Sequence, residues 1–238
     1  MNICIMIDGT GNGGVFTSVT NVKKLFECAE ENSLQHCKYF SGPGTIPKRQ
    51  FEESFKRRQG KEIRKVVRRA VTGYLYGSDV LRILTAVYTR FAEWYCLEHR
   101  IANLSASAVF EYGWADGLEV PKIFLFGFSR GAFIARKLAD LITKCGIPAN
   151  GGVAKEIVRA YRRGYTKCID AKRREKKLTK PLTVAYMGLW DTVNSTGRYF
   201  NGKSFYAHGV ESVRHAIAKH EYRQYYRLFP LYGDTTIP

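Results

Sequence analysis

Residues 122–136 read KIFLFGFSRGAFIAR, and this stretch is the most informative part of the chain. A short apolar run from Ile123 to Phe126 leads into the pentapeptide GFSRG, and apolar residues at helical spacing follow it. A G-x-S-x-G element between a strand and a helix raises its serine on a sharp turn. The flanking glycines let the two elements approach without a Cβ clash. The stretch therefore predicts a strand, a tight turn and a helix, with Ser129 as a candidate nucleophile.

The pentapeptide alone also fits a plainer role, in which the Ser129 side chain caps the N-terminus of the helix. The apolar strand before it and the helix after it favour the nucleophile, because in that context such a serine is exposed at the end of a sheet. The amide of Arg130, at the start of the helix, would then be placed to donate a hydrogen bond to an oxyanion.

Apolar patterning predicts alternating strands and helices along the whole chain. The predicted strands are Asn2–Ile7, Cys37–Phe40, Ile123–Phe126 and Leu182–Leu189, and the main predicted helices are Thr20–Glu31, Glu62–Val71, Ser78–Glu98, Ala154–Lys177 and Val210–Tyr226. Such alternation is typical of an α/β protein, with a parallel sheet covered by helices on both faces. Because the 238 residues contain no repeat and no convincing linker, we expect one domain spanning residues 1–238.

Polar residues follow three of the predicted strands at the point where each strand ends. They are Asp8-Gly9-Thr10, Ser129 and Asp191-Thr192. The carboxyl ends of parallel strands meet at one edge of a sheet, so these residues are expected to lie together. The grouping suits acyl transfer, in which Ser129 attacks while Asp191 orients and stabilises a histidine base. The amides of Gly9, Thr10 and Arg130 would hold the oxyanion. Asp191 also fits a simpler role as the cap of a turn.

The histidine base is the weakest part of this interpretation. Of the five histidines, only His208, His215 and His220 follow Asp191, as the serine–acid–histidine order of such hydrolases requires. No strand is predicted directly before any of them, and His215 falls within the predicted helix Val210–Tyr226. A single helical histidine is more commonly structural than catalytic. His215 is therefore a candidate base, and a purely structural role for it is the alternative.

The loop Asp8–Gly14 invites a second interpretation. Gly9, Gly11 and Gly14 match the G-x-G-x-x-G spacing of dinucleotide-binding sites, directly after a predicted strand. That site also needs a helix that begins at the third glycine, and an acidic residue about 20 positions further on at the end of a second strand. Here no helix begins at Gly14, and the acidic residues at that distance lie within or at the end of a helix. We therefore expect no cofactor.

The net charge of +17 is concentrated in two windows, which together carry +15 of it. Residues 48–69 contain ten basic and three acidic side chains, and residues 155–180 contain eleven and three. Such surfaces attract an anionic membrane surface or nucleic acid, although they also serve solubility. For a protein that hydrolyses acyl esters, the anionic membrane is the expected partner in preference to nucleic acid. The sequence carries no indication of the oligomeric state.

The six cysteines form no C-x-x-C pair, and no histidine lies at metal-ligand spacing from them. We therefore expect no metal site and a reducing compartment. The first residues lack the charged start and apolar core of a signal peptide, and no apolar segment reaches membrane-spanning length. The expected localisation is cytoplasmic, with export only through a dedicated secretion machine.

A set of short stretches in a fixed order is more specific than any one motif. They are residues 8–12 (DGTGN), 20–22 (TNV), 39–45 (YFSGPGT), 127–132 (GFSRGA), 160–162 (AYR), 188–193 (GLWDTV) and 215–218 (HAIA). In this order they resemble an α/β-hydrolase-like domain family of bacterial and fungal proteins that includes the phospholipase effectors of type VI secretion. The resemblance implies a serine hydrolase of acyl esters, phospholipids among them, with Ser129 as nucleophile and Asp191 as acid.

The family normally continues past the segment matching residues 215–218 into a further strand and a glycine-rich loop with a histidine. That loop would be the better source of the base, and the sequence reaches Pro238 without it. We therefore expect a C-terminally truncated form of the fold. The chain could be shortened, a partial domain, a member that recruits His215 or His220, or a member without hydrolase activity. In the last case it would be an inactive binding module for nucleic acid, an anionic membrane or a partner protein.

Overall fold

The computed structural model describes a central sheet and the helices packed around it. The described residues are 1–13, 19–45, 68, 71–73, 79–101, 121–164, 166–175, 177–179, 181–194 and 209–220, with the backbone alone for 95–101. The predicted helix Glu62–Val71 and the basic window 48–69 fall outside these residues apart from single positions.

Within the described residues, a five-stranded sheet forms the centre of the fold, in the order β2-β1-β3-β4-β5, and every neighbouring pair of these strands is parallel. The strands are β1 (Asn2–Ile7), β2 (Gln35–Phe40), β3 (Lys122–Phe128), β4 (Val184–Trp190) and β5 (Val210–Ala216). The interior strands carry the continuous apolar runs that burial on both faces requires. The predicted parallel, α/β-hydrolase-like architecture is thus confirmed.

Helices cover both faces of this sheet. They are α1 (Asn21–Cys28), α2 (Val80–Ile101), α3 (Arg130–Cys145), α4 (Gly151–Arg163) and α5 (Thr166–Arg174). Side chains alternate across β1, so Ile3, Ile5 and Ile7 pack into the larger core with α2, α3 and α4. Cys4 and Met6 point the other way, into a smaller cluster with α1. Helix α3 is buried along almost its whole length, because it packs against strands β1, β3 and β4 and against helices α2 and α4.

The predicted helix Val210–Tyr226 is wrong where the structure describes it, because residues 210–216 form strand β5. Among the described strands β5 lies at the edge of the sheet and pairs with β4 alone, and most of its side chains are exposed or half-buried. It therefore lacks the apolar run that marks a buried strand, and its scattered apolar residues imitate a helical pattern. The correction moves His215 from a helix to a strand, where it lies opposite Leu189 of β4.

The predicted single helix Ala154–Lys177 is divided into α4 and α5. Helix α4 ends at Gly164, which has a left-handed backbone (φ 70°, ψ 24°) and donates its N–H to the carbonyl oxygen of Ala160. Glycine is the residue that adopts this conformation without a Cβ penalty, and it commonly ends helices in this way. Helix α5 then begins at Thr166.

The loops after β1, β2 and β3 pack against one another at the carboxyl edge of the sheet. A Cβ atom at Gly42 would lie 1.6 Å from the carbonyl oxygen of Gly9, and one at Gly131 would lie 2.2 Å from the carbonyl oxygen of Asp8. No side chain fits at either position without a shift of backbone. The close approach of these three loops therefore depends on glycine.

Gly42→Ala should lower the free energy of unfolding by at least about 3 kcal/mol, because the new Cβ displaces the backbone of Gly9. Gly164→Ala is the matched control, since a Cβ there meets no atom within 4 Å. Only its left-handed backbone is penalised, by about 1 kcal/mol. Urea unfolding of the two variants measures the difference, and equal losses would contradict the close packing of these loops.

Candidate active site

Ser129 lies at the sharp turn between β3 and α3, with a positive φ of 54° and ψ of −122°. Its N–H donates to the carbonyl oxygen of Trp190 at 2.8 Å, and its own carbonyl oxygen accepts from Val193 at 3.3 Å. The side chain makes no hydrogen bond to the helix that it precedes. The plainer role of Ser129 as a capping side chain is therefore not what the structure describes.

The loop after β1 lies directly against this serine. A Cβ atom at Gly9 would be 3.2 Å from the Cβ of Ser129 and 2.5 Å from the Phe128 ring. Glycine at position 9 thus allows the loop to approach the turn. The hydroxyl of the next residue, Thr10, is buried and has no hydrogen-bond partner in the described part of the chain.

The side chain of Asp8 holds this loop in place through hydrogen bonds. Its side chain is buried, with Oδ1 accepting from the N–H of Gly9 at 2.7 Å. Oδ2 accepts from the hydroxyls of Thr20 at 2.8 Å and Tyr39 at 2.5 Å. Burial, together with the hydrogen bond to Asp8, raises the pKa of Tyr39 well above its usual range, so the phenol stays a donor. The Gly9 amide is engaged with Asp8, which leaves Thr10 as the better donor in this loop.

Asp191 follows β4 and also has a positive φ, 43°. Its N–H donates to the carbonyl oxygen of Ala216 at 2.9 Å, and its Oδ1 accepts from the N–H of Ala218 at 2.5 Å. The carboxylate therefore holds the segment that follows β5 against the end of β4. Because the N–H of Val193 donates a hydrogen bond to the carbonyl oxygen of Ser129, the turn at Asp191 lies next to the turn at Ser129.

His215 lies near the end of β5 and is joined to the Asp191 turn through Thr192. Its Nε2 is 3.2 Å from the N–H of Thr192, which donates to it, and 3.0 Å from the Thr192 hydroxyl. An Nε2 that accepts from an amide places the ring proton of the neutral imidazole on Nδ1. The described hydrogen bonds of His215 go to Thr192, and none of them joins it to Ser129.

The imidazole of His215 is neutral at neutral pH. Burial lowers its pKa to about 4, with a further lowering from the nearby Arg136 guanidinium that the Asp191 carboxylate partly opposes. Arg136 is itself buried in α3. A neutral imidazole is the protonation state that a general base requires.

The sequence matches one family over nearly its whole length. Residues 1–236 match the family described as "T6SS, Phospholipase effector Tle1-like, catalytic domain". The chain belongs to this family. A relative in Saccharomyces cerevisiae, the uncharacterized protein YEL023C, is 29% identical over 93% of the chain. The chain spans about a third (31%) of the length of that relative. No solved structure matched.

Arg130 and the remaining histidines lie in different surroundings. The Arg130 guanidinium is buried and donates to the carbonyl oxygen of Gly73 at 3.0 Å, so its side chain serves packing and only its amide begins α3. His36 stacks on Trp94, beside the first residues of β2 and away from the carboxyl edge. His208 and the side chain of His99 lie outside the described residues.

Sequence reasoning assigned no contact to three residues that shape the site, Thr20, Tyr39 and Thr192, although it placed Thr192 at the end of a strand. Each acts through a hydrogen bond across the sheet edge, to Asp8 or to His215. The residue type alone carries no signal for such partners. In the matched stretches TNV, YFSGPGT and GLWDTV, however, all three residues are present.

The described part of the chain brings no three His, Cys, Asp or Glu side chains together in a group that could hold a metal ion. Within the same residues, each helix is too short or too polar to cross a bilayer.

The low pKa of His215 predicts a loss of stability in acid. Between about pH 6.5 and pH 4 the unfolded chain binds a proton at this residue and the folded chain does not, so unfolding is favoured as the pH falls. His215→Gln should remove this contribution, so its stability should vary less with pH than that of the wild type. Urea unfolding at several pH values measures this, with the exposed His220→Gln as control. Parallel curves for wild type and His215→Gln would contradict it.

Proposed function

We propose that the chain is a serine hydrolase that cleaves the acyl ester bonds of phospholipids, with Ser129 as the nucleophile. Family membership supports phospholipid as the substrate class. Ser129 is proposed as the nucleophile because its backbone is strained and because its side chain does not cap the helix that follows it. Strain of this kind persists where the surrounding structure imposes it, and it is concentrated at active sites.

The reaction would follow the acyl-transfer scheme of serine hydrolases. The Ser129 oxygen forms a bond to the acyl carbonyl carbon, and its proton passes to the imidazole base. The carbonyl oxygen becomes an oxyanion, for which the Thr10 hydroxyl and the Arg130 amide are the proposed donors. When the ester C–O bond breaks, the imidazolium returns its proton to the leaving alcohol. A water molecule then hydrolyses the acyl-enzyme by the same steps in reverse order.

His215 is the proposed base among the described histidines. It is neutral, it lies at the carboxyl edge of the sheet, and it is joined to the Asp191 turn through Thr192. To act, its Nε2 would exchange its bonds to Thr192 for one to Ser129. Catalytic hydrogen bonds commonly tighten only when substrate is bound. Asp191 would stabilise the imidazolium, since its carboxylate already favours the charged form of this ring.

Ser129→Ala should abolish labelling by a fluorophosphonate probe and lower fatty-acid release from phospholipid vesicles by roughly 10³-fold or more. Asp191→Asn should lower kcat by roughly 10⁴-fold if the carboxylate acts as proposed. Ser212→Ala, on the same sheet but in β5, is the matched control and should remain fully labelled. A wild-type protein that is folded yet never labelled would instead support the inactive binding module.

The pH dependence of the rate tests which imidazole is the base. With His215 in that role, kcat/KM should stay high as the pH is lowered from 7 and fall only near pH 4, because the folded imidazole takes up a proton there. His215→Gln should abolish turnover, whereas His220→Gln should leave the profile unchanged. An acid limb near the ordinary histidine value, about pH 6.5, would assign the base to another histidine.

A further inference from the structure

A second site lies outside the residues assigned to catalysis, in a groove that runs along the exposed side of α2. The cavity is about 770 Å³, and five cationic side chains line it: Lys38, Arg82, Arg90, Lys155 and Arg159. We call this feature the cationic groove. It is drawn from three elements, β2, α2 and α4, and one carboxylate, that of Glu93, is also present. A volume of this size is typical of sites for small ligands, which occupy about 300–1,000 Å³.

The charge of the cationic groove is only partly neutralised. Arg82 pairs with Asp79 at 3.3 Å, and Arg90 pairs with Glu93 at 2.9 Å. In the described part of the chain, Lys38, Lys155 and Arg159 have no carboxylate within ion-pair distance. Three cations in one concave surface focus a positive field, which raises the local concentration of anions.

The lining of the cationic groove also contains apolar surface. Phe40, Leu81 and Ala86 contribute to it, and the first two are half-buried with one side against the core. A site with several cations around apolar side chains fits an amphipathic anion better than a bare phosphate. The cations would bind the charged group, and the apolar side chains would contact the first carbons of a hydrocarbon chain.

One end of the cationic groove lies at the proposed catalytic edge. Phe40 is the last residue of β2, and the Ser41–Gly44 turn that follows it packs against Gly9. Leu81 is in the first turn of α2, just after Asp79, whose carboxylate accepts from the N–H of Gly44 at 3.4 Å. A lipid bilayer that presents substrate to this edge would therefore also reach the cationic groove.

We propose that the cationic groove binds the anionic headgroup of a membrane phospholipid and thereby turns the catalytic edge toward the bilayer. This inference rests on the proposed function for the identity of the surface, but binding itself requires no hydrolysis. Nucleic acid fits less well, because one phenylalanine offers no row of stacking surfaces and Glu93 would face the phosphates.

The test is vesicle sedimentation with the Ser129→Ala chain, so that lipid is not consumed. It should bind phosphatidylglycerol vesicles and not phosphatidylcholine vesicles, and binding should weaken as salt is raised. Replacing Lys38, Lys155 and Arg159 together by Gln should weaken binding roughly 100-fold, since three cations are removed from the surface. The control triple replaces Lys24, Lys122 and Lys167, which are exposed cations outside the groove, and it should bind nearly as the parent does.

Several results would overturn the proposal. Equal losses in the two triple variants would show that net charge alone governs binding. Failure of the parent to bind anionic vesicles would reject the lipid. The lipid would also be rejected if replacing Lys38, Lys155 and Arg159 left vesicle binding unchanged and abolished binding to a labelled DNA oligonucleotide. The same three groove substitutions, made with Ser129 intact, should leave activity on a dispersed short-chain ester equal to that of the wild type. This measurement separates a failure of the lipid site from a failure of the proposed catalysis.

Discussion

The carboxylate of Asp8 is the interaction on which this edge of the sheet depends. Burying a charge is costly unless hydrogen bonds replace its water, and three donors meet this one: the Gly9 amide and the hydroxyls of Thr20 and Tyr39. These donors come from the loop after β1, the N-cap of α1 and strand β2. A single side chain therefore positions the loop that carries Thr10 relative to two other elements.

Hydrogen bonds also stabilise the two positions that have strained backbones. In the described part of the chain, Ser129 and Asp191 are the residues other than glycine with positive φ. A conformation of this kind costs about 1–3 kcal/mol for each residue. Hydrogen bonds to the neighbouring strands compensate for that cost, from Ser129 to Trp190 and from Asp191 to Ala216. The pairing of β3 with β4, and of β4 with β5, thus stabilises both turns, and the strain falls on the two residues to which we assign catalysis.

Much of the fold could be predicted from local pattern, since β1 is buried on both faces, β3 is buried on one face and half-buried on the other, and both are apolar runs. β5 could not, because a strand at the edge of the described sheet can carry polar residues on either face. That failure also misplaced His215. Ser129 and Asp191 could be proposed from the sequence, because each lies just after a predicted strand and Ser129 occupies a G-x-S-x-G motif. The contacts of Tyr39 and Thr192 could not, because they depend on which strands become neighbours, and that order is not encoded in any short stretch.

Ion pairs decide which basic residues can act together, and composition alone does not reveal them. The window 155–180 is strongly basic, yet in α5 Lys172 lies between Glu156 and Glu175. Lys155 and Arg159 are spaced i, i+4 and share one face of α4, while Glu156 is turned toward α5. Glu156 is one position after Lys155, about 100° around the helix, so its carboxylate lies outside the cationic groove and pairs with α5 instead. The ability of the groove to attract an anion thus depends on which residues of α4 face it as much as on the number of lysines.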